Sequence, residues 1–319
     1  MALLSNLCRS NPLPMNFNST VFLLLIFFSS CSIQKRLFEA EEVAVVAKRA
    51  TEQEKAQLAR LKEKVTARLS QAEIDSSISS DFNEVLTVLN QNLSAAERKI
   101  AVLEEAMLNR SNFSGANYND SLAHLVASLD SFNTLNKRRE SIYQMVNEAI
   151  TIKAFTLYKL AAFFEPGVYH IPAHASDVIA RNFLPAIDSI AAISNKYAHI
   201  PRVVRLVFVG YADEASIEYN TPLYRNLLRF SGVEKPGRTE LNRVLSELRA
   251  KEMERNMKMV VSDNASKFVL SEHLKFNYFS YGRGETFPSP HIKDYQKNDE
   301  RRRIVMFYWS VLPDIGYLK

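Results

Sequence analysis

The hydrophobic period of this chain changes once, near residue 163, and that change most constrains its architecture. From about 39 to 160 apolar residues recur every three or four positions, the spacing of amphipathic helices. Leu58, Leu61, Val65 and Leu69 form one such set, and Phe82, Leu86, Leu89 and Leu93 form another. Ser94-Ala95-Ala96-Glu97 has the form of a capping box and predicts a new helix carrying Ile100, Leu103 and Met107. Residues 109–120 are rich in Asn, Ser and Gly and predict a loop. A helix through Leu122, Leu125, Val126, Leu129 and Phe132 follows, then a last one through Ile142, Met145, Val146 and Ile150. The segment 31–155 is therefore expected to be an all-α hairpin or bundle, with a charged stem at 39–75. Its carboxylates lie among lysines on solvated faces and suggest no chemistry.

Beyond 163, helical stretches alternate with short apolar runs. Phe163 to Gly167 predicts a strand ending in a turn, and 175–198 an amphipathic helix. Val203-Val204-Arg205-Leu206-Val207-Phe208-Val209 is apolar at most positions and predicts a central strand buried on both faces. A helix over 240–257, a strand over 276–281 and a strand from Ile304 complete the order β-α-β-α-β-β. That order predicts an α+β domain over 156–319, with helices packed on one face of a mixed sheet.

Composition excludes several classes. With 8 glycines in 319 residues, a glycine-rich phosphate loop finds no support, and a net charge of +5 is too small and scattered for nucleic acid. Both cysteines, Cys8 and Cys31, precede Ser32, so the folded part has neither disulfide nor thiolate metal site. The six histidines show no metal-ligand spacing; His170 and His174 are separated by Pro172, which interrupts a helix. No cofactor, no metal and no enzymatic activity are expected.

Residues 20–28, Thr-Val-Phe-Leu-Leu-Leu-Ile-Phe-Phe, are too few to span a bilayer, which takes about 20 apolar residues. They fit the apolar core of a signal peptide ending in small residues. Phe28-Ser29-Ser30-Cys31 resembles the lipobox of bacterial lipoproteins. The resemblance implies a signal peptide over 1–30, from Met1 or Met15, and lipidation at Cys31. Ser32 rather than Asp after the cysteine implies transfer to the outer membrane, facing the periplasm.

The C-terminal half carries four ordered elements: Phe-Phe-x-Pro-Gly at 163–167, Gly-Tyr-x-Asp at 210–213, Leu-Asn-x-x-Leu-Ser-x-x-Arg-Ala at 241–250, and a Gly-x-Gly-Glu turn at 282–285 followed by Arg302-Arg303 before the last strand. Together they resemble the OmpA-like peptidoglycan-binding domain. That family holds the zwitterionic diaminopimelate of the wall's stem peptide. The resemblance implies that Asp213 receives the ammonium and Arg249 the carboxylate. Asn242, two helical turns before Arg249, joins them, and Arg302 stands for the first arginine of the family's Asn-Arg-Arg. Ala212 replaces the usual Thr, Arg301 replaces the usual Asn, and residues 219–238 form an insertion expected to gate or block the pocket. The implied function is a tether of membrane to peptidoglycan. The alternative is a subunit of an envelope secretion or motility machine, with protein partners on the helical segment.

Overall fold

The computed structural model describes residues 17–71, 73–108, 116–151, 155–156, 164, 166–172, 175–269, 271–289 and 292–318. Two compact units are built from it: residues 1–53 with 93–136, and residues 54–92 with 137–319. Helix α1 (Phe17–Ser70) runs unbroken through Cys31. Most of the expected signal segment, residues 1–16, lies outside the described residues, as do residues 109–115 and His174. Among the described residues no helix is long and apolar enough to cross a membrane.

A seam of buried positions on α1 runs through Ala40, Ala44, Ala47, Thr51, Glu54, Leu58, Leu61, Val65 and Arg68, with Ala50 buried beside it. Their spacing alternates four and three, which is a heptad seam. The seam ends on Arg68, and Leu69, expected inside, is 41% exposed. Arg68 is drawn in because its guanidinium donates to the carbonyl of Ile150 and to Glu73. In the first unit the alanines pack with Ile100 and Leu103 of α2 (Ser76–Leu108) and Leu122 and Leu129 of α3 (Ala116–Thr134). Helix α2 does not restart at the expected capping box. Its buried stripe of Leu93, Ala96, Ile100 and Leu103 continues across that box, so packing sustains the helix where local chemistry offers a start. Similarly, α3 begins at Ala116, within the stretch expected to be loop.

In the second unit, the remainder of α1 and α2 and helix α4 (Asn136–Thr151) bury Leu58, Phe82, Met145 and Val146. A polar clasp sits among them: Arg139 donates to Glu54 at 2.8 Å and the Tyr143 hydroxyl donates to the same carboxylate at 3.3 Å.

The sheet of this unit has four strands, β1 (Phe155–Thr156), β2 (Arg202–Gly210), β3 (Leu274–Gly282) and β4 (Val305–Pro313), in the order β1-β4-β2-β3. Strands β2 and β3 are parallel, while β4 is antiparallel to β2 and to β1. The sheet is mixed, as expected, and its helical partners follow the expected order. The entry strand is a correction. It forms at 155–156, where Phe155 pairs with Tyr308, whereas Phe164 of the expected strand is buried outside any strand. Residues 157–163 lie outside the described residues.

Helices α5 (Ser176–Lys196) and α7 (Arg238–Asp263) pack on one face. There Phe183 sets its edge against Phe208 and Phe307, 6.4 and 5.5 Å away. The other face carries Arg205, which pairs with Asp81 of α2. Every residue of β4 is buried, as a strand covered on both faces requires.

Two glycines seat α7 on the strand ends. A side-chain carbon on Gly210 would lie 1.8 Å from the Ser246 carbonyl oxygen, and one on Gly282 would lie 2.4 Å from that of Arg243. The last residues of the parallel pair therefore have to be glycine for the helix backbone to come this close. That approach brings Asn242 and Arg249 to the loops leaving the sheet.

The insertion holds helix α6 (Pro222–Ser231). Thr221 caps it by accepting from the Tyr224 amide at 3.1 Å, Pro222 occupies its first turn, and Gly232, at φ +66°, ends it. Tyr224 and Leu227 pack against Leu241, Val244 and Leu245 of α7.

Candidate functional site

Three loops meet where the parallel strands end. Backbone hydrogen bonds stitch them: Tyr211 to Ile304 at 2.9 Å, Ala212 to Gly284 at 2.8 Å, and Glu214 to Lys297 at 2.8 Å. Asp213 is thereby held just past β2. Its Oδ1 accepts from the Ala215 amide at 3.3 Å, and its Oδ2 accepts from Arg303 Nη1 at 2.7 Å.

Arg249 reaches the same place from α7. Its Nε donates to the Val168 carbonyl at 3.0 Å and its Nη1 to the Tyr211 carbonyl at 3.4 Å. The Phe164 ring centre lies 5.3 Å from its guanidinium carbon. Burial pulls the Arg249 pKa down to about 10; the Asp213 charge raises it and Arg303 lowers it further. A guanidinium this acidic still carries its proton at neutral pH. Arg249 thus bonds the residue two before Asp213, and Asp213 bonds Arg303, which gathers the three groups at the exit of β2.

Asn242 and Arg302 belong to an adjoining network. Asn242 Nδ2 donates to the Ala215 carbonyl at 3.1 Å and to Glu285 at 2.8 Å. Glu285 also pairs with Arg238 at 2.9 Å. Arg302 Nη1 donates to Glu214 at 2.8 Å, and Nη2 donates to the Glu285 carbonyl. The hydrogen bond from Arg302 holds the Glu214 carboxyl below its usual range, against a smaller effect of burial.

Of the four residues expected from sequence, Asp213 and Arg249 are thus brought together, and Asn242 borders them. Arg302 faces Glu214 instead, and Arg303 takes the place beside Asp213. Adjacent residues leaving the tight turn Glu300–Arg302 project differently, so a run of three arginines does not by itself say which one meets the acid. The buried Nε atoms of Arg302 and Arg303 have no hydrogen-bond partner among the described residues.

Asp213, Asn242, Arg249 and Arg302 are 4%, 1%, 1% and 1% exposed, so the cluster is roofed over. Phe164 and Val168 lie against Arg249, the Phe287 ring lies 4.8 Å from the Arg302 guanidinium carbon, and Arg238, at the end of the insertion, pairs with Glu285 and Glu214. Helix α6 packs on α7, with Leu223 standing against Gly167. The cluster contains no nucleophile with an adjacent base, and among the described residues no group of His, Cys, Asp or Glu could hold a metal ion.

In comparisons with known proteins, no family model matches the chain and no curated protein matches it.

Proposed function

We propose that this protein is an outer-membrane lipoprotein, anchored through Cys31, whose C-terminal domain binds the diaminopimelate of peptidoglycan without catalysing a reaction. One observation carries the reading. A carboxylate after β2 and a guanidinium on α7, Asp213 and Arg249, converge at one end of the sheet, where Arg249 bonds the Tyr211 carbonyl and Arg303 bonds Asp213. An amino-acid zwitterion needs such a pair, an acid for its ammonium and a planar guanidinium for its carboxylate. The unpartnered Nε of Arg303 is a further donor for that carboxylate.

The test is retention on purified wall sacculi. The full chain is expected to sediment with them, and the double variant Asp213→Ala with Arg249→Ala to stay in solution. Equal retention of both would sink the assignment. The anchor is tested separately: Cys31→Ala is expected to lose incorporation of labelled palmitate and to leave the membrane fraction.

A further inference from the structure

We propose that Asp75, between α1 and α2, is a positioning residue of the candidate site: its ion pair with Arg283 fixes the turn 283–285 and, through that turn, Ala212 and Asp213. The proposal rests on the reading of the site given above. It adds that the helical segment helps to build a site whose ligand contacts all lie in the C-terminal half.

The turn 283–285 is bonded to the elements that carry the site. The Arg283 amide donates to the Gly210 carbonyl at 2.8 Å, and the Gly284 carbonyl accepts from the Ala212 amide at 2.8 Å. The Gly284 amide donates to Ser246 Oγ of α7 at 2.9 Å. The Glu285 carboxylate accepts from Asn242 at 2.8 Å, and its carbonyl accepts from Arg302. A displacement of the turn therefore passes through one backbone bond to the residue before Asp213. Gly284 stands at φ +56°, and glycine gives the turn little stiffness of its own. Its tethers have to hold it.

One tether comes from outside the C-terminal half. Arg283 Nη2 donates to Oδ2 of Asp75 at 3.0 Å and to the Ser76 hydroxyl at 3.4 Å. Asp75 is itself fixed, because its Oδ1 accepts from the amide and the hydroxyl of Ser77, each at 2.8 Å, at the start of α2. The Asp75 side chain is 5% exposed and that of Arg283 41%. The buried carboxylate is the post, and the arginine, partly in water, is the group it orders. A charge-assisted bond of this kind is about twice as strong as a neutral one.

A second ion pair supplies the comparison. Arg205 pairs with Asp81 of α2, which also joins α2 to the sheet, but within β2 and short of the strand end that carries the site. If attachment of the helices were all that mattered, losing either pair would act alike.

The experiment uses the full chain as wild type, Asp75→Asn, Arg283→Gln, their double variant and Asp81→Asn. It measures affinity for meso-diaminopimelate, and hydrogen exchange of the Ala212 and Gly284 amides relative to Leu206 within β2. Asp75→Asn keeps an oxygen to cap α2 and turns an amide donor toward Arg283. Arg283→Gln serves if that variant does not fold. Each single variant is expected to weaken binding about fivefold and to quicken Ala212 and Gly284 about fivefold against Leu206, with the double variant no worse than either. Asp81→Asn is expected to lower the melting temperature and to leave affinity and the exchange ratio unchanged. A merely structural role would speed all three amides together. Unchanged affinity and ratio in both single variants, or an equal loss in Asp81→Asn, would overturn the positioning role and leave the site standing. If the wild type itself does not bind, the reading of the site falls and the positioning role with it.

Discussion

Arg303 donates from Nη1 to Oδ2 of Asp213 at 2.7 Å, joining two residues 90 positions apart at the exit of β2 and the entry of β4. Their side chains are 14% and 6% exposed, so each neutralises a charge that water does not reach well.

Breaking that pair from either side should be costly. Asp213→Ala leaves two arginines facing each other without their acid, and Arg303→Ala leaves the acid with Arg249 alone. Each is expected to destabilise the protein by about 3 kcal/mol. The double variant should lose clearly less than the sum, as read by urea denaturation. Additive losses would show that the two charges are not coupled.

Gly282→Ala should be among the most damaging substitutions in the chain. Its side chain would meet Ser246 Oγ at 2.3 Å and the Glu247 nitrogen at 2.5 Å, on a helix that cannot retreat from the sheet. A loss above about 4 kcal/mol is expected. Gly237→Ala is the contrast: nothing lies within 4 Å of the added carbon, and replacing this N-cap glycine of α7 should cost no more than about 1 kcal/mol. Thermal melts of the two variants check the contrast.

Glu54 sits in the buried seam of α1 and holds both Arg139 and Tyr143. Glu54→Ala removes the acid and keeps the guanidinium, which should cost about 3 kcal/mol. Replacing Glu54 and Arg139 together by leucine should recover most of that loss, because a packed apolar pair avoids desolvating two charges. A urea midpoint for the leucine pair as low as that of Glu54→Ala would refute this.

Stability should fall in acid. The Arg301 hydrogen bond, with backbone amides of Arg301 and Gln296, holds the Asp299 carboxyl well below the usual carboxylate range. Glu214 is lowered by Arg302. A carboxyl whose folded pKa is depressed stabilises the fold above its unfolded pKa of about 4, and that contribution fades as pH drops through the folded value. Asp81, raised by burial, works in the opposite sense. Asp299→Asn is expected to reduce the difference in urea midpoint between pH 7 and pH 3.

Much of the fold was legible along the chain. The strands near 203 and 304, the helices near 176 and 240 and the helix inside the insertion stand within a few residues of their expected positions. Each is written in a local period or in turn residues such as Thr221, Pro222 and Gly232. The entry strand stands elsewhere because Phe164, apolar enough for a strand, lies instead against the Arg249 guanidinium. The break expected at 94–97 does not occur because packing along α2 outweighs a capping signal. Nothing local separates Arg302 from Arg303, since their roles depend on which loop each one meets.

By itself the sequence determined where most helices and the three long strands form and most of what they bury, because period and side-chain chemistry act over a few neighbours. The pairing order β1-β4-β2-β3, the meeting of Asp213 with Arg249 and Arg303, and the Val168 carbonyl lying across the site were decided only by the tertiary structure. The side-chain contacts join residues up to 90 positions apart, and the pairing of Phe155 with Tyr308 joins residues 153 apart. They exist because two glycines let one helix rest on the strand ends, a close approach that no local pattern encodes.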